Sequence, residues 1–263
     1  IKSIGNKSSL QIEEWHNDLV GSNGWDSLEQ LFYVLNNTIK YVVLRNFDPL
    51  PNNYYAKNHG DIDLLVSNYD DARFITNATS VFKKNYRVYS TVKIAEEKIF
   101  FDFRHLDDNY YDKAWEEHIL NYRKFKNCFY IPSEEDYFYS LLYHAIIQKP
   151  ELSSDYKKNL VALAKTNGIK LSQSSFKTNE AIDLLSNFLS TNNYSFTQPN
   201  DKSVYFHSDN IRRGVSKGVK FKRKKIVPLR NYLKKHKVPV KHYFNKSKKI
   251  VRRQLKKLQN EKK

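Results

Sequence analysis

Two aspartates stand one residue apart in the run His59-Gly60-Asp61-Ile62-Asp63-Leu64-Leu65-Val66. Side chains alternate along a strand, so Asp61 and Asp63 share one face while Ile62, Leu64 and Val66 turn toward a core. Adjacent carboxylates repel unless something cationic holds them. A hard divalent ion, Mg²⁺ or Mn²⁺, bound through carboxylate oxygens while it grips a phosphate, meets that need. A third acid, Asp102, lies within Ile99-Phe100-Phe101-Asp102-Phe103-Arg104. A carboxylate among aromatic residues is costly unless paired or metal-bound. Arg104, on the same face, is one available partner. A place beside the Asp61/Asp63 strand, completing a three-carboxylate cluster, is the other.

Around these acids stand residues suited to a phosphate donor. Arg45 and Asn46 end an apolar run, and the guanidinium fork of Arg45 suits bidentate phosphate recognition, with a salt bridge to Asp48, Asp61 or Asp63 as its alternative. His59 and Gly60 directly precede the acidic pair, and Lys149 ends a helical stretch within reach of a phosphate. His144 and Gln148, four residues apart, share a helix face with Ser140 and would look into a cleft. A satisfied helix histidine is the plainer reading. The acidic and aromatic segment Arg104 to Asp112 either shapes an acceptor pocket or is a surface connection whose aromatic residues pack on the helix containing Trp115.

The elements that position these residues can be read from spacing. Leu28, Leu31, Phe32, Val34 and Leu35 recur at helical intervals, with Asp26 or Ser27 as N-cap. A strand over 40–46, a Pro- and Asn-rich loop and the Asp-Ile-Asp strand follow. Residues 69–84 read as a helix, 86–92 and 98–104 as a hairpin with a turn at Glu96-Glu97. This order predicts an α+β fold with a small mixed sheet and helices on one side. Ser133 and Asp136 form a capping box that opens a helix over 134–149, ended by Pro150. Further helices are expected at 154–167 and 178–191, and a closing strand at 203–207. The expected divisions are an α/β core over 1–131, a helical subdomain over 132–210 and a basic tail over 211–263.

The net charge of +17 is unevenly distributed: residues 211–263 carry 22 Lys and Arg against one acid, Glu261. The other 210 residues hold 23 basic and 27 acidic side chains, a net of −4. In the last segment Ile250, Val251, Gln254, Leu255 and Leu258 fall along one helical stripe. Basic amphipathic helices of this kind lie on anionic membrane surfaces, each Lys or Arg near the surface contributing about 1 kcal/mol. Nucleic-acid backbone binding has the same electrostatics, and docking to a protein partner or a disordered tail is the third reading, with the regular apolar residues speaking against pure disorder. A single cysteine, Cys128, excludes an intrachain disulfide and favours a reducing compartment. No stretch reaches the roughly 18 apolar residues of a membrane span, and residues 1–11 lack the apolar segment of a signal peptide. The absence of methionine implies a chain processed or cut from a longer one. No Walker loop, Gly-x-Gly-x-x-Gly, Gly-x-Ser-x-Gly or His-Glu-x-x-His occurs, which sets aside several other enzyme classes.

With Asp61, Asp63 and Asp102 in this order, the chain resembles the nucleotidyltransferase-fold superfamily, whose founding member is DNA polymerase β. Asp-Ile-Asp-Leu-Leu-Val is similar to members tied to bacterial capsule, teichoic acid and other surface-polysaccharide synthesis. Phosphocholine and polyol-phosphate transferases are a more distant likeness. The resemblance covers residues 26–105, and the helices after Ser133 resemble the bundle such enzymes append. It implies a metal-dependent transferase with Asp61, Asp63 and Asp102 as metal ligands and catalytic residues, a nucleotide or nucleotide-linked sugar or polyol as donor, and a glycan or lipid-linked acceptor. The expected location is cytoplasmic, peripheral to the inner face of the plasma membrane. One departure is plain: the superfamily places Gly-Gly or Gly-Ser where this chain has Leu44-Arg45-Asn46. Modification of tRNA or an antibiotic, nucleic-acid binding through the tail, and an inactive scaffold are the competing readings.

Overall fold

The computed structural model describes residues 20–54, 60–82 and 89–223. These residues belong to one compact unit that runs to Lys224. His59, Tyr86 and the amphipathic stripe over 250–258 lie outside the described residues, as does the rest of the tail after Arg223.

The chain is α+β, with a mixed five-stranded sheet and seven α-helices among the described residues. Helix α1 (Leu28–Thr38) opens on Ser27, whose side chain accepts from the Gln30 amide. Strand β1 (Tyr41–Val43) pairs antiparallel with β2 (Asp61–Val66). Helix α2 (Tyr69–Ile75) leads to the short β3 (Thr79–Ser80), then β4 (Tyr89–Ile94) and β5 (Glu97–His105). The sheet order is β1-β2-β5-β4-β3, with β2 and β5 parallel at its centre.

Helix α2 stops nine residues before the end that periodicity predicts. Asn68 caps its start by accepting from the Asp70 and Asp71 amides. Asn77 ends the turn with φ +52°, the left-handed conformation that asparagine tolerates better than most residues. The β4–β5 hairpin turns on Ala95 and Glu96, both at positive φ, which suits the twist of a two-residue connection.

Alternation along β2 divides two cores. Ile62, Leu64 and Val66 join α1, Ala72 of α2 and Phe101 and Phe103 of β5. Leu65, with Val42 and Leu44, joins the helices that follow. Helices therefore cover both faces of the sheet, not the one face expected from the element order. These helices are α3 (Lys113–Asn121), α4 (Glu134–Ile147), α5 (Ser154–Thr166), α6 (Glu180–Thr191) and α7 (Ser208–Ser216). A hairpin of β6 (Lys124–Lys126) and β7 (Phe129–Ile131) separates α3 from α4.

Helix α4 is the central member, buried from Phe138 to Ile147. Ser133 caps it, accepting from the Asp136 amide at 3.1 Å and donating to Asp136 Oδ2 at 2.7 Å. The other carboxylate oxygen accepts from Trp115 Nε1 at 2.9 Å, tying α3 to this start. The predicted strand at 203–207 is irregular chain. Asp201 holds it in a turn by accepting from the Ser203 amide and hydroxyl at 2.8 and 2.7 Å. The strand that closes the fold is β8 (Ser195–Thr197), parallel to β9 (Lys220–Lys222). Ile211 and Val219 are buried, so the basic stretch that starts at 211 begins inside the folded unit. No described helix is long and apolar enough to cross a membrane.

Candidate active site

The parallel register of β2 and β5 sets Asp63 beside Asp102, and Asp61 beside Phe100. Registered residues of paired strands project to the same face, so Asp61, Asp63, Asp102 and Arg104 stand together on the side toward α4. They line a cavity of about 550 Å³ with Arg45, Asn46, His144, Lys149 and several tyrosines. That volume suits a small-molecule ligand.

Each interior carboxylate has its own arginine. Arg45 Nη2 lies 2.5 Å from Asp63 Oδ1. It is placed by the strand below, where the Leu44 amide donates to the Asp63 carbonyl at 2.9 Å. Arg104 grips Asp102 Oδ2 through Nη2 at 2.6 Å and Nε at 3.2 Å, and reaches Asp201 Oδ2 through Nη1 at 3.3 Å. Its guanidinium also lies over the Tyr110 ring, 4.5 Å from the centroid. Both alternatives read for Asp102 thus hold: it pairs with Arg104 and it neighbours Asp63.

Asp63 is 4 % exposed. Burial, opposed by Arg45 and reinforced by Asp102 and Asp61, pushes its carboxyl up to about 6. Burial works against the charge of Arg45, but Asp63 beside it outweighs this and the guanidinium stays firmly protonated. Asp102 Oδ1 is buried without a hydrogen-bond partner. Among the described residues no three His, Cys, Asp or Glu side chains already converge as a metal ligand set, and two of the acids turn an oxygen toward arginine. The oxygens left over are hard donors on one face: Asp102 Oδ1, the second oxygen of Asp63 and the carboxylate of half-buried Asp61. Three acids and two arginines leave one net negative charge, which a divalent cation complements. The donor set therefore fits Mg²⁺ or Mn²⁺.

Asn46 has φ +55°, so it occupies the left-handed conformation that glycine most readily adopts. Gly60 is exposed, and a Cβ there would meet nothing within 4 Å. The fold itself does not require glycine at that position. Lys149 lies just past the end of α4 rather than within it, half-buried and without an ion pair among the described residues.

Other lining residues carried weaker signals or none. His144 and Gln148 do face the cavity, as their four-residue spacing suggested. Tyr110 and Tyr111 are buried, and Tyr111 packs on Trp115 of α3 with ring centroids 4.9 Å apart, so the aromatic residues of the 104–112 segment pack on that helix as expected. Asp108 holds that segment inside by accepting from the Tyr110 amide at 2.7 Å. Tyr156 arrives from α5 and Tyr205 from the loop after Asp201. Nothing in their local sequence marked them, because long-range packing brings them there. No family model, curated protein or solved structure matches this chain.

Proposed function

We propose that this protein is a nucleotidyltransferase-type enzyme that moves a nucleotidyl or phosphoryl group from a phosphate donor to a hydroxyl acceptor. The carrying observation is the β2–β5 register that sets Asp63 beside Asp102, with Asp61 on the same face of the cavity. Asp61, Asp63 and Asp102 would hold Mg²⁺ or Mn²⁺, which when bound neutralises donor phosphates and stabilises charge on the transferred group. Arg45 opposes the rise in the Asp63 pKa, and its remaining N–H groups offer phosphate-binding donors to the cavity it lines. Arg104 fixes Asp102 and leaves Oδ1 free. Lys149 supplies an unpaired cation for the donor's far phosphate. A nucleotide or nucleotide-linked sugar or polyol is the donor class these charges suit. A glycan or lipid-linked acceptor in bacterial surface-polysaccharide assembly is the setting, at the inner membrane face, with residues 211–263 as the membrane-binding element.

The test is the double variant Asp61→Asn/Asp63→Asn, offered Mg²⁺ or Mn²⁺ and a panel of nucleoside triphosphates and nucleotide-linked sugars and polyols. Metal binding and product formation should both vanish while the far-UV spectrum is kept. Turnover equal to wild type would eliminate the mechanism. A second reading, a donor-binding protein without turnover, is favoured by the arginine neutralisation of Asp63 and Asp102. It predicts binding heat with the same panel but no product.

A further inference from the structure

Opposite the carboxylates, Gln148 fixes the proton of a histidine. Its Nε2 donates to the Tyr110 carbonyl at 2.7 Å. A carbonyl only accepts, so the amide nitrogen must face it, and Oε1 is left against His144 Nδ1 at 3.1 Å. An amide oxygen also only accepts, so Nδ1 carries the ring proton. The Tyr110 hydroxyl oxygen, 2.9 Å from that same nitrogen, takes the other branch of the N–H. A neutral imidazole has one ring proton, which leaves a lone pair on Nε2.

That nitrogen is open. His144 lines the cavity, no described residue hydrogen-bonds Nε2, and Nε2 is not among the buried side-chain atoms left without a partner. Burial first, then the Arg45 and Lys149 cations, push its pKa well below 6.5, so the ring is neutral at physiological pH. Arg104, Tyr110 and Tyr156 are the other titratable groups around it. An anionic donor seated against Arg45 and Lys149 offsets those two charges and makes the ring more basic once the donor is in place. Asp102 is held at two points by Arg104.

We infer that the wall formed by His144 and Tyr156 is the acceptor subsite, beside the donor held by Lys149, and that His144 Nε2 accepts the proton of the attacking hydroxyl. The inference rests on the transferase reading and adds a base to it. As the acceptor oxygen bonds to the donor phosphorus, its proton passes to Nε2. The bond from phosphorus to the leaving phosphate oxygen breaks, and the electron pair stays on that oxygen. The imidazolium then returns its proton to the leaving group or to water.

Two measurements on the full chain test this. With ¹⁵N-labelled histidine, the His144 ring should read as neutral, protonated on Nδ1 and bare on Nε2. A ring protonated on Nε2, or charged at pH 7, overturns the base role and leaves the transferase reading untouched. With whichever donor and acceptor the wild type uses, His144→Gln should lower kcat by about 10²–10⁴-fold, the usual worth of a general base, with donor KM and Mn²⁺ binding within a few-fold. An unchanged kcat overturns the role. A wild type that transfers nothing across the panel overturns the transferase reading and the base with it.

Discussion

At the scale of single residues, the Asp63–Arg45 pair governs both charge and stability. The carboxyl of Asp63 rises from 3.8 to about 6 in the fold, so the folded chain binds that proton more tightly than the unfolded one. Its contribution is whole below about pH 4 and is lost as pH climbs through 6. NMR should show Asp63 titrating near 6, and added Mg²⁺ should lower the midpoint; no movement at saturating Mg²⁺ would count against the metal site. Arg45→Met strands a buried carboxylate, which costs about 3–5 kcal/mol. Denaturant unfolding should show that loss at pH 7.5 and a smaller one at pH 5, where Asp63 takes up a proton. That Asp61 and Asp63 share a face was legible in the sequence because a strand's alternation is local, whereas Asp102's place beside them depends on the β2–β5 pairing. The arginine that would claim each acid was only half legible. Arg104 lies two residues from Asp102 and is readable, whereas the choice of Arg45 among three acids depends on β1 lying beside β2.

Elements were legible where a periodic pattern and a cap agreed. Helices α1 and α4 start at the capping residues that spacing indicates, and the Asp-Ile-Asp strand falls where alternation puts it. Elements whose ends depend on distant contacts were not. Asn77 closes α2 early by donating through Nδ2 to the Ser22 carbonyl at 2.7 Å, a partner 55 residues away in sequence. The β8–β9 pair joins segments that neither alternate nor neighbour each other. The packing beneath that pair gives an element-level prediction. A Cβ at Gly214 of α7 would overlap the Phe196 ring of β8 and come within 2.9 Å of Ser186 Oγ on α6. Gly214→Ala should therefore cost about 1–3 kcal/mol, as overpacking does. A thermal midpoint equal to wild type would show that α7 can slide without penalty.

For the whole molecule, the compact unit ends near Lys224 while most of the net positive charge follows it, 15 Lys and Arg against one acid over 225–263. A chain cut after Lys224 should melt at the same temperature as the full chain yet lose co-sedimentation with anionic vesicles. The full chain's co-sedimentation should fall steeply with salt. Retained binding by the shortened chain would move the membrane-binding element into the folded unit, while a gel shift of RNA or DNA lost with the tail would favour nucleic acid.

The division of β2 between two cores has a consequence for folding fidelity. Because its side chains alternate, a one-residue slip of β2 against β5 would thrust Asp61 and Asp63 into the greasy layer around Phe101 and Phe103 and expose Ile62 and Leu64 to the polar cavity. The acids proposed for chemistry thus also act as a ratchet during assembly. A double variant that replaces them with leucine and valine would be expected to populate mispaired, aggregation-prone chains.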